Sequence, residues 1–391
     1  MSLQFSLLSM SQKNGVKQLP NIMELIVLFD MIRTKPFVLV SLVIMLVIFS
    51  SSPTLVPCVE AQEIGDIKVL MLIADYFGWN YFDAKELLES WGVNVTTIAH
   101  SLDYEVPSCL NREPRGTTAD LLLQDVDFGI INEFDALFIP AGGHWSSLIA
   151  SNRALNFTAY AYSQGLIVAA VCIGNRIISD AFDIVNGSSV VSYLMSNINM
   201  RAAGATTRSG YRVVADNRII TGGTGGGVSD GGYIEAPTSE VCKALVREAM
   251  EYSQVQDANL VSSSTDSVTN ITISAEVSDL DSILGDLASV DTNISEVTAM
   301  IYTKQNRTLV DSVQLFDSEQ DGTFTGSYET SINGEYVIDI EVEDTNSTLE
   351  IEHEALSFVV GPVFIIDPII FGIVGAGALV VVAVVVVIKK R

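Results

Sequence analysis

The chain's candidate nucleophile lies in the stretch GLIVAAVCIG at 165–174. Residues 166–171 form a short apolar, β-rich run that stops at Cys172. Gly174 follows two residues later, and the segment from Asn175 to Phe182 takes up a helical apolar rhythm. A strand that runs into a cysteine and straight on into a helix has the shape of a nucleophile elbow. The sharp turn pushes the apical side chain out of the sheet, and the nearby glycine is needed because little room is left for a Cβ. A helix N-terminus behind the sulphur favours the thiolate. The alternative is a buried cysteine acting as a small hydrophobe.

Other residues with chemical potential are few. Cys58 falls within the N-terminal segment, which leaves Cys109, Cys172 and Cys242. An odd number of thiols in an oxidising compartment implies at least one unbridged or intermolecular cysteine, with Cys109–Cys242 as one candidate disulfide. The glycine run Gly222 to Gly227 lacks a following Lys-Ser/Thr and is therefore not a phosphate-binding P-loop. It reads as a loop at the ligand-binding end of an open sheet. Asp317, Glu319 and Asp321 alternate before Gly322, either as a calcium loop or as a solvated turn; no metal site is assigned.

The elements that must position Cys172 alternate between strand and helix. IKVLMLIA at 67–74 is an unbroken apolar run, suited to a strand buried on both faces of a parallel sheet. The spacing predicts a helix over 81–91, ended by Gly92, and a second strand over 93–98. A third buried strand, FDALFIP, ends in Ala141-Gly142-Gly143-His144, and 146–163 reads as helix before the elbow strand. VADNRIITGGT has a hairpin pattern, and 238–253 is a final amphipathic helix. Together these give a flavodoxin-like, doubly wound α/β domain over 65–253. Residues 258–362 differ, with short alternating runs separated by turns, which predicts an antiparallel β-sandwich of Ig or fibronectin type without the Cys…Trp…Cys stitch.

Charge and hydrophobic segments bound the compartment and the partners. The 391 residues carry a net charge of −26, which excludes nucleic acid as a partner because phosphates attract Lys and Arg. Residues 258–362 alone hold 20 Asp and Glu against 2 Lys and Arg, the pattern of a solvated acidic surface. Within the N-terminal extension 1–61, Arg33 and Lys35 precede 13 apolar or small residues at 37–49, and a small residue follows at Ala61. That is the layout of a secretory signal, with Met31 a natural start; an uncleaved anchor is the alternative. At the other end, the 21 uncharged residues 368–388 precede Lys389, Lys390 and Arg391. A transmembrane helix is expected over 366–388 with a cytoplasmic tail of 389–391. Seven N-x-[ST] sequons, at Asn94, Asn156, Asn186, Asn270, Asn293, Asn306 and Asn346, agree with an outward-facing glycoprotein.

IKVLMLIA, FDALFIPAGGH and VAAVCIGNRIISDA, in that order, resemble the ThiJ/PfpI family of the class I glutamine-amidotransferase-like superfamily. The resemblance covers about 190 residues, 65–253. It implies that the loop at Gly142 and Gly143 faces Cys172 and that the backbone amides of Gly143 and Ile173 form an oxyanion hole. It also makes a homodimer a candidate assembly. Two positions depart from the family pattern. Ile173 stands where a histidine usually follows the cysteine, and Gly78 falls at or near the position of a glutamate that contacts it. A thiol with an ordinary pKa of about 8.5 needs a base or a positive field to act at neutral pH. His144, adjacent to the loop, is the candidate substitute base, and Asp75 or Asp83 the candidate substitute acid. The aromatic group Tyr76, Phe77, Trp79, Tyr81 and Phe82 either lines a pocket or packs the core.

Two functions follow. One is a membrane-anchored, outward-facing ThiJ/PfpI-like protein that has lost catalysis and acts as a ligand-binding or surface protein, taking a small molecule or peptide. The other is a cysteine-dependent hydrolase of peptidase, amidase or deglycase type, with Cys172 as nucleophile. Neither calls for a cofactor.

Overall fold

A computed structural model describes residues 64–109, 115–191, 196–223, 236–251, 253–265, 268–278 and 294–361. The expected signal segment, transmembrane helix and basic tail lie outside the described residues, as does most of the glycine run at 222–227. Among the described residues no helix is long and apolar enough to cross a membrane.

The first part of the chain alternates as its apolar runs require. It contains β1 (Lys68–Ala74), α1 (Asn80–Ser90), β2 (Asn94–His100), β3 (Glu105–Pro107), β4 (Gly116–Thr118), β5 (Leu121–Leu122) and β6 (Ala136–Ile139). There follow α2 (Trp145–Ala150), α3 (Asn152–Ser163), β7 (Ile167–Val171), α4 (Asn175–Asp180), β8 (Ser189–Val191), α5 (Asn197–Ala202), β9 (Thr206–Arg208), β10 (Val213–Asp216), β11 (Ile219–Gly222) and α6 (Thr238–Ala249). The helix expected over 146–163 is broken at Ser151, whose hydroxyl accepts from the Ala154 amide and caps α3.

The parallel strands run in the order β5-β2-β1-β6-β7-β11. Alternate residues point to opposite faces of a sheet, and β1 divides accordingly. Val69, Met71 and Ile73 join one core with α1 and α6, whereas Leu70, Leu72 and Ala74 join another with α2, α3 and α4. Helices therefore cover both faces, the doubly wound arrangement that unbroken apolar strands predict. The hairpin of β10 and β11 turns on Asn217 and Arg218, at φ 53° and 60°. Two successive positive φ angles match the right-handed twist of the flanking strands.

The C-terminal region is β-rich. It comprises β12 (Val255–Thr265), β13 (Val268–Val277), β14 (Ile294–Thr303), β15 (Leu309–Leu315), β16 (Thr323–Thr330), β17 (Gly334–Asp344) and β18 (Thr348–Val360). Two antiparallel sheets, β12-β13-β16 and β15-β14-β17-β18, share one apolar core that includes Ile271, Ile273, Val297, Ile301, Ile338 and Phe358. Asp317 accepts from the Asp321 and Gly322 amides, and Asp321 accepts from that of Thr323. These carboxylates cap their own turn, and no group of three or more metal-ligating side chains occurs among the described residues.

The β-rich region is joined to the α/β region through the sheet. Strand β18 pairs in parallel with β10, through Val213↔Thr348, Val214↔Leu349 and Ala215↔Glu350. One mixed sheet of eleven strands therefore runs through both regions among the described residues. Buried charges reinforce the seam. Arg247 of α6 meets Glu350 of β18 at 2.7 Å, and Arg208 of β9 meets Glu341 of β17. His353 lies between two buried aspartates, with Nε2 2.6 Å from Asp216 Oδ1 and Nδ1 2.9 Å from Asp339 Oδ2. The expectation of a wholly solvated acidic surface thus fails for Asp339, Glu341 and Asp344, which are buried. Burial alone would push the Asp339 carboxyl up, but His353, the Glu354 amide and the Arg307 guanidinium together hold it below its usual range.

Hydrogen bonds to Asp216 and Asp339 outweigh desolvation and raise His353 to about 10 from an ordinary 6.5. A group whose pKa rises on folding contributes stability that is fully present below its unfolded pKa and is lost as pH climbs through the folded one. Thermal melts are therefore expected to show a falling transition temperature from pH 6.5 towards 10. His353→Gln should lower the melting temperature near neutrality and flatten that alkaline slope. A slope unchanged in the variant would refute the assignment.

Candidate functional site

The site is built where β1, β6 and β7 end side by side. These carboxyl ends of adjacent parallel strands are where open α/β sheets bind ligands. The elbow expected at Cys172 is present. Every residue of β7 is buried, and the backbone then turns at Cys172 with φ 56°. A non-glycine residue held in this region costs roughly 1–2 kcal/mol, so the surrounding structure must impose it. Gly174 meets the need for close approach, since a Cβ there would sit 2.7 Å from the Ile139 carbonyl oxygen and 2.9 Å from that of Pro140. Helix α4 is only six residues long, a short dipole behind the sulphur. Cys172 is 5 % exposed and Ile173 6 %, and both side chains belong to the core shared with Phe77 and Ala141. Asn175, fully buried, donates from Nδ2 to the Gly222 carbonyl at 3.0 Å.

The loop after β1 is clamped on both sides. Phe77 bridges Gly142 on one side and Ser108 on the other. The Gly78 amide donates to the Ala141 carbonyl at 2.6 Å, and Asn80 Oδ1 accepts from the Ala141 amide at 3.1 Å. Neither glycine at this crossing tolerates a side chain. A Cβ at Gly78 would lie 2.6 Å from the Ala141 oxygen, and one at Gly142, whose φ is 131°, would lie 2.2 Å from the Gly78 nitrogen. Gly78, at or near the position that the family resemblance matches to a glutamate, thus has no room for a side chain unless the backbone shifts. The candidate substitutes lie elsewhere. Asp75 accepts from the Ser101 hydroxyl, and Asp83 lies in the first turn of α1 beside Glu86.

His144 sits next to this crossing but is only 1 % exposed. Its Nδ1 accepts from the Ala74 amide at 3.1 Å, and its Nε2 donates to the Pro140 carbonyl at 2.8 Å. Both ring nitrogens are committed to backbone, which fixes the neutral tautomer and leaves none directed at Cys172. Burial lowers its pKa to about 4. The ring thus ties the end of β1 to the end of β6.

Burial pushes the Cys109 thiol up, outweighing the opposing effect of the Gly143 and Cys109 amides. No bridge joins the cysteines: Cys109, Cys172 and Cys242 are all unbridged, and Cys242 is fully buried in α6 with its thiol pushed up by burial. The candidate Cys109–Cys242 disulfide is absent. The aromatic group divides. Phe77 and Tyr81 are fully buried with ring centroids 4.8 Å apart, and Phe82 packs on both. Tyr76 stands outside that packing, 61 % exposed and at φ 71°.

Residues 67–229 match the DJ-1/PfpI family. They form a DJ-1/PfpI domain. Among curated proteins, general stress protein 18 of Bacillus subtilis (strain 168) is 29 % identical over 107 residues, 27 % of this chain and 60 % of that protein. The match therefore spans less than two thirds of that relative's length. Among solved structures, a ThiJ/PfpI domain protein from Brachyspira murdochii is 21 % identical, with a TM-score of 0.40 over 48 % of this chain and 98 % of that one. Schizosaccharomyces pombe DJ-1 is 13 % identical, with a TM-score of 0.40 over 46 % and 91 %.

Within the DJ-1/PfpI domain, the buried neutral histidine makes a checkable statement. Unfolded, His144 gains a proton near pH 6.5; folded, it resists until about pH 4. Stability must therefore fall as pH drops from 6.5 towards 4. His144→Ala leaves the Ala74 amide and the Pro140 carbonyl unpaired, so a loss of about 2–4 kcal/mol at pH 7 is expected by chemical denaturation. The variant should also lose this part of the acid slope. A variant as stable as the parent would overturn the tie described for His144.

Proposed function

We propose that this chain presents its DJ-1/PfpI domain as a ligand-binding module that has lost hydrolytic catalysis, taking a small molecule or peptide at the elbow end of the sheet. The observation that carries the reading is the closed position at Gly78. Backbone packing against Ala141 leaves no space there for a carboxylate, Ile173 supplies no base, and both nitrogens of His144 are committed elsewhere. None of these three positions furnishes the base that hydrolysis by Cys172 near neutrality would use.

One observation favours the second reading, a cysteine-dependent hydrolase with Cys172 as nucleophile. The left-handed backbone at Cys172 is strain of the kind that active sites retain. Alkylation of the purified full chain with iodoacetamide, followed by peptide mass spectrometry, separates the two. The binding reading expects Cys172 to label no faster than free cysteine at pH 7.5. Labelling about tenfold faster, with a rate that persists below pH 7, would favour the hydrolase.

The proposal extends to location. The uncharged segment 368–388, followed by Lys389, Lys390 and Arg391, supports a single-pass anchor with the bulk of the chain outside. Deleting 366–391 should move the protein from the membrane fraction to the soluble fraction. A full-length chain found in the soluble fraction would rule this anchor out.

A further inference from the structure

We propose that Tyr76 is the recognition residue of this site: a fixed, exposed ring on which a flat, unsaturated part of the ligand stacks, such as an aromatic ring or a conjugated carbonyl group. The inference rests on the ligand-binding reading above and names the chemical class of its ligand.

Tyr76 lies just beyond β1, at the carboxyl ends of the parallel strands where Cys172 also lies. Its φ of 71° places a bulky residue in a region that such residues rarely occupy. The surroundings over-determine that conformation. The Tyr76 amide donates to the Pro107 carbonyl at 2.7 Å, and its own carbonyl accepts from the His144 amide at 3.2 Å. The next residue is fixed as well, because the Phe77 carbonyl accepts from the Cys109 amide at 2.8 Å while Phe77 bridges both neighbouring loops. The backbone is thus held on each side, and the strain has one visible result: the ring faces outward while Phe77 beside it is wholly buried. Core packing does not account for this placement.

Tyr76 neighbours the site loop: a Cβ built on Gly143 would lie 3.5 Å from Tyr76 Cβ, in ordinary van der Waals contact. Exposed tyrosine on a fixed backbone offers contact area at low ordering cost, because only two side-chain torsions remain to be settled on binding. A π-face prefers flat, unsaturated partners in offset or edge-on contact over saturated rings of equal size.

The test compares benzamide with cyclohexanecarboxamide, which share the amide and differ in the ring. The full chain in detergent, labelled with 15N-glycine and 15N-isoleucine, reports binding through the amide shifts of Gly142, Gly143 and Ile173. Benzamide is expected to bind about fivefold more tightly than its saturated counterpart. Tyr76→Phe should keep that preference, and Tyr76→Ala should abolish it. Tyr76→Gly should abolish it as well while raising the melting temperature, since glycine relieves the positive φ. Equal affinity for the two amides in the parent, or a preference that survives Tyr76→Ala, would overturn the role of Tyr76 and leave the binding site standing. If neither compound shifts Gly142, Gly143 or Ile173, the ligand-binding reading falls and this proposal with it.

Discussion

The site depends on a backbone crossing. The loop after β1 and the loop after β6 approach so closely that the Gly78 amide reaches the Ala141 carbonyl at 2.6 Å, and both Gly78 and Gly142 must lack side chains. That contact sets the ends of the central strands, aims Tyr76 outward and leaves His144 a buried slot between β1 and β6. The strained turn at Cys172 lies at the same end of the sheet, where both ring nitrogens of His144 are bonded to backbone.

The second organising contact lies at the other end of the domain. Three ladder positions between β10 and β18 are few for a stable strand pairing, and the buried charges around them matter accordingly. Removing one partner of a buried ion pair is costly because the other is left without compensation. Arg247 with Glu350, and His353 with Asp216 and Asp339, bind the two regions in that all-or-none manner. The two histidines of opposite character then bracket the stability optimum. His144, neutral and buried, penalises acid, whereas His353, charged between carboxylates, penalises alkali.

Much of the parallel sheet was legible because its strands are unbroken apolar runs, a pattern that only two-sided burial requires. The elbow was legible for a similar reason: a cysteine between an apolar strand and a helical rhythm, with Gly174 close behind, is what a tight strand-to-helix turn demands. The hairpin at Asn217 and Arg218 also announced itself by its flanking strands. What stayed hidden depends on contacts between residues far apart in the chain. The partners of His144 lie 70 residues upstream and four residues back, and no local pattern links Ala74 to it. Tyrosine has no propensity for positive φ, so Tyr76 gave no signal of its conformation. The fusion of the two regions rests on His353 meeting Asp216, 137 residues apart, and acidic composition alone cannot separate a buried carboxylate from a solvated one.

The pairing of β10 with β18 bears on how this sheet avoids other chains. In the DJ-1/PfpI domain alone, β10 would be the last strand, with a row of backbone donors and acceptors turned towards solvent. Unpaired edges of that kind recruit strands from neighbouring molecules. Here the chain supplies its own covering strand and carries the sheet on through β17 and β14 to β15, where β15 is short and largely exposed. The β-rich region is thus an edge guard as well as an extension, and it moves the boundary open to self-association away from the elbow.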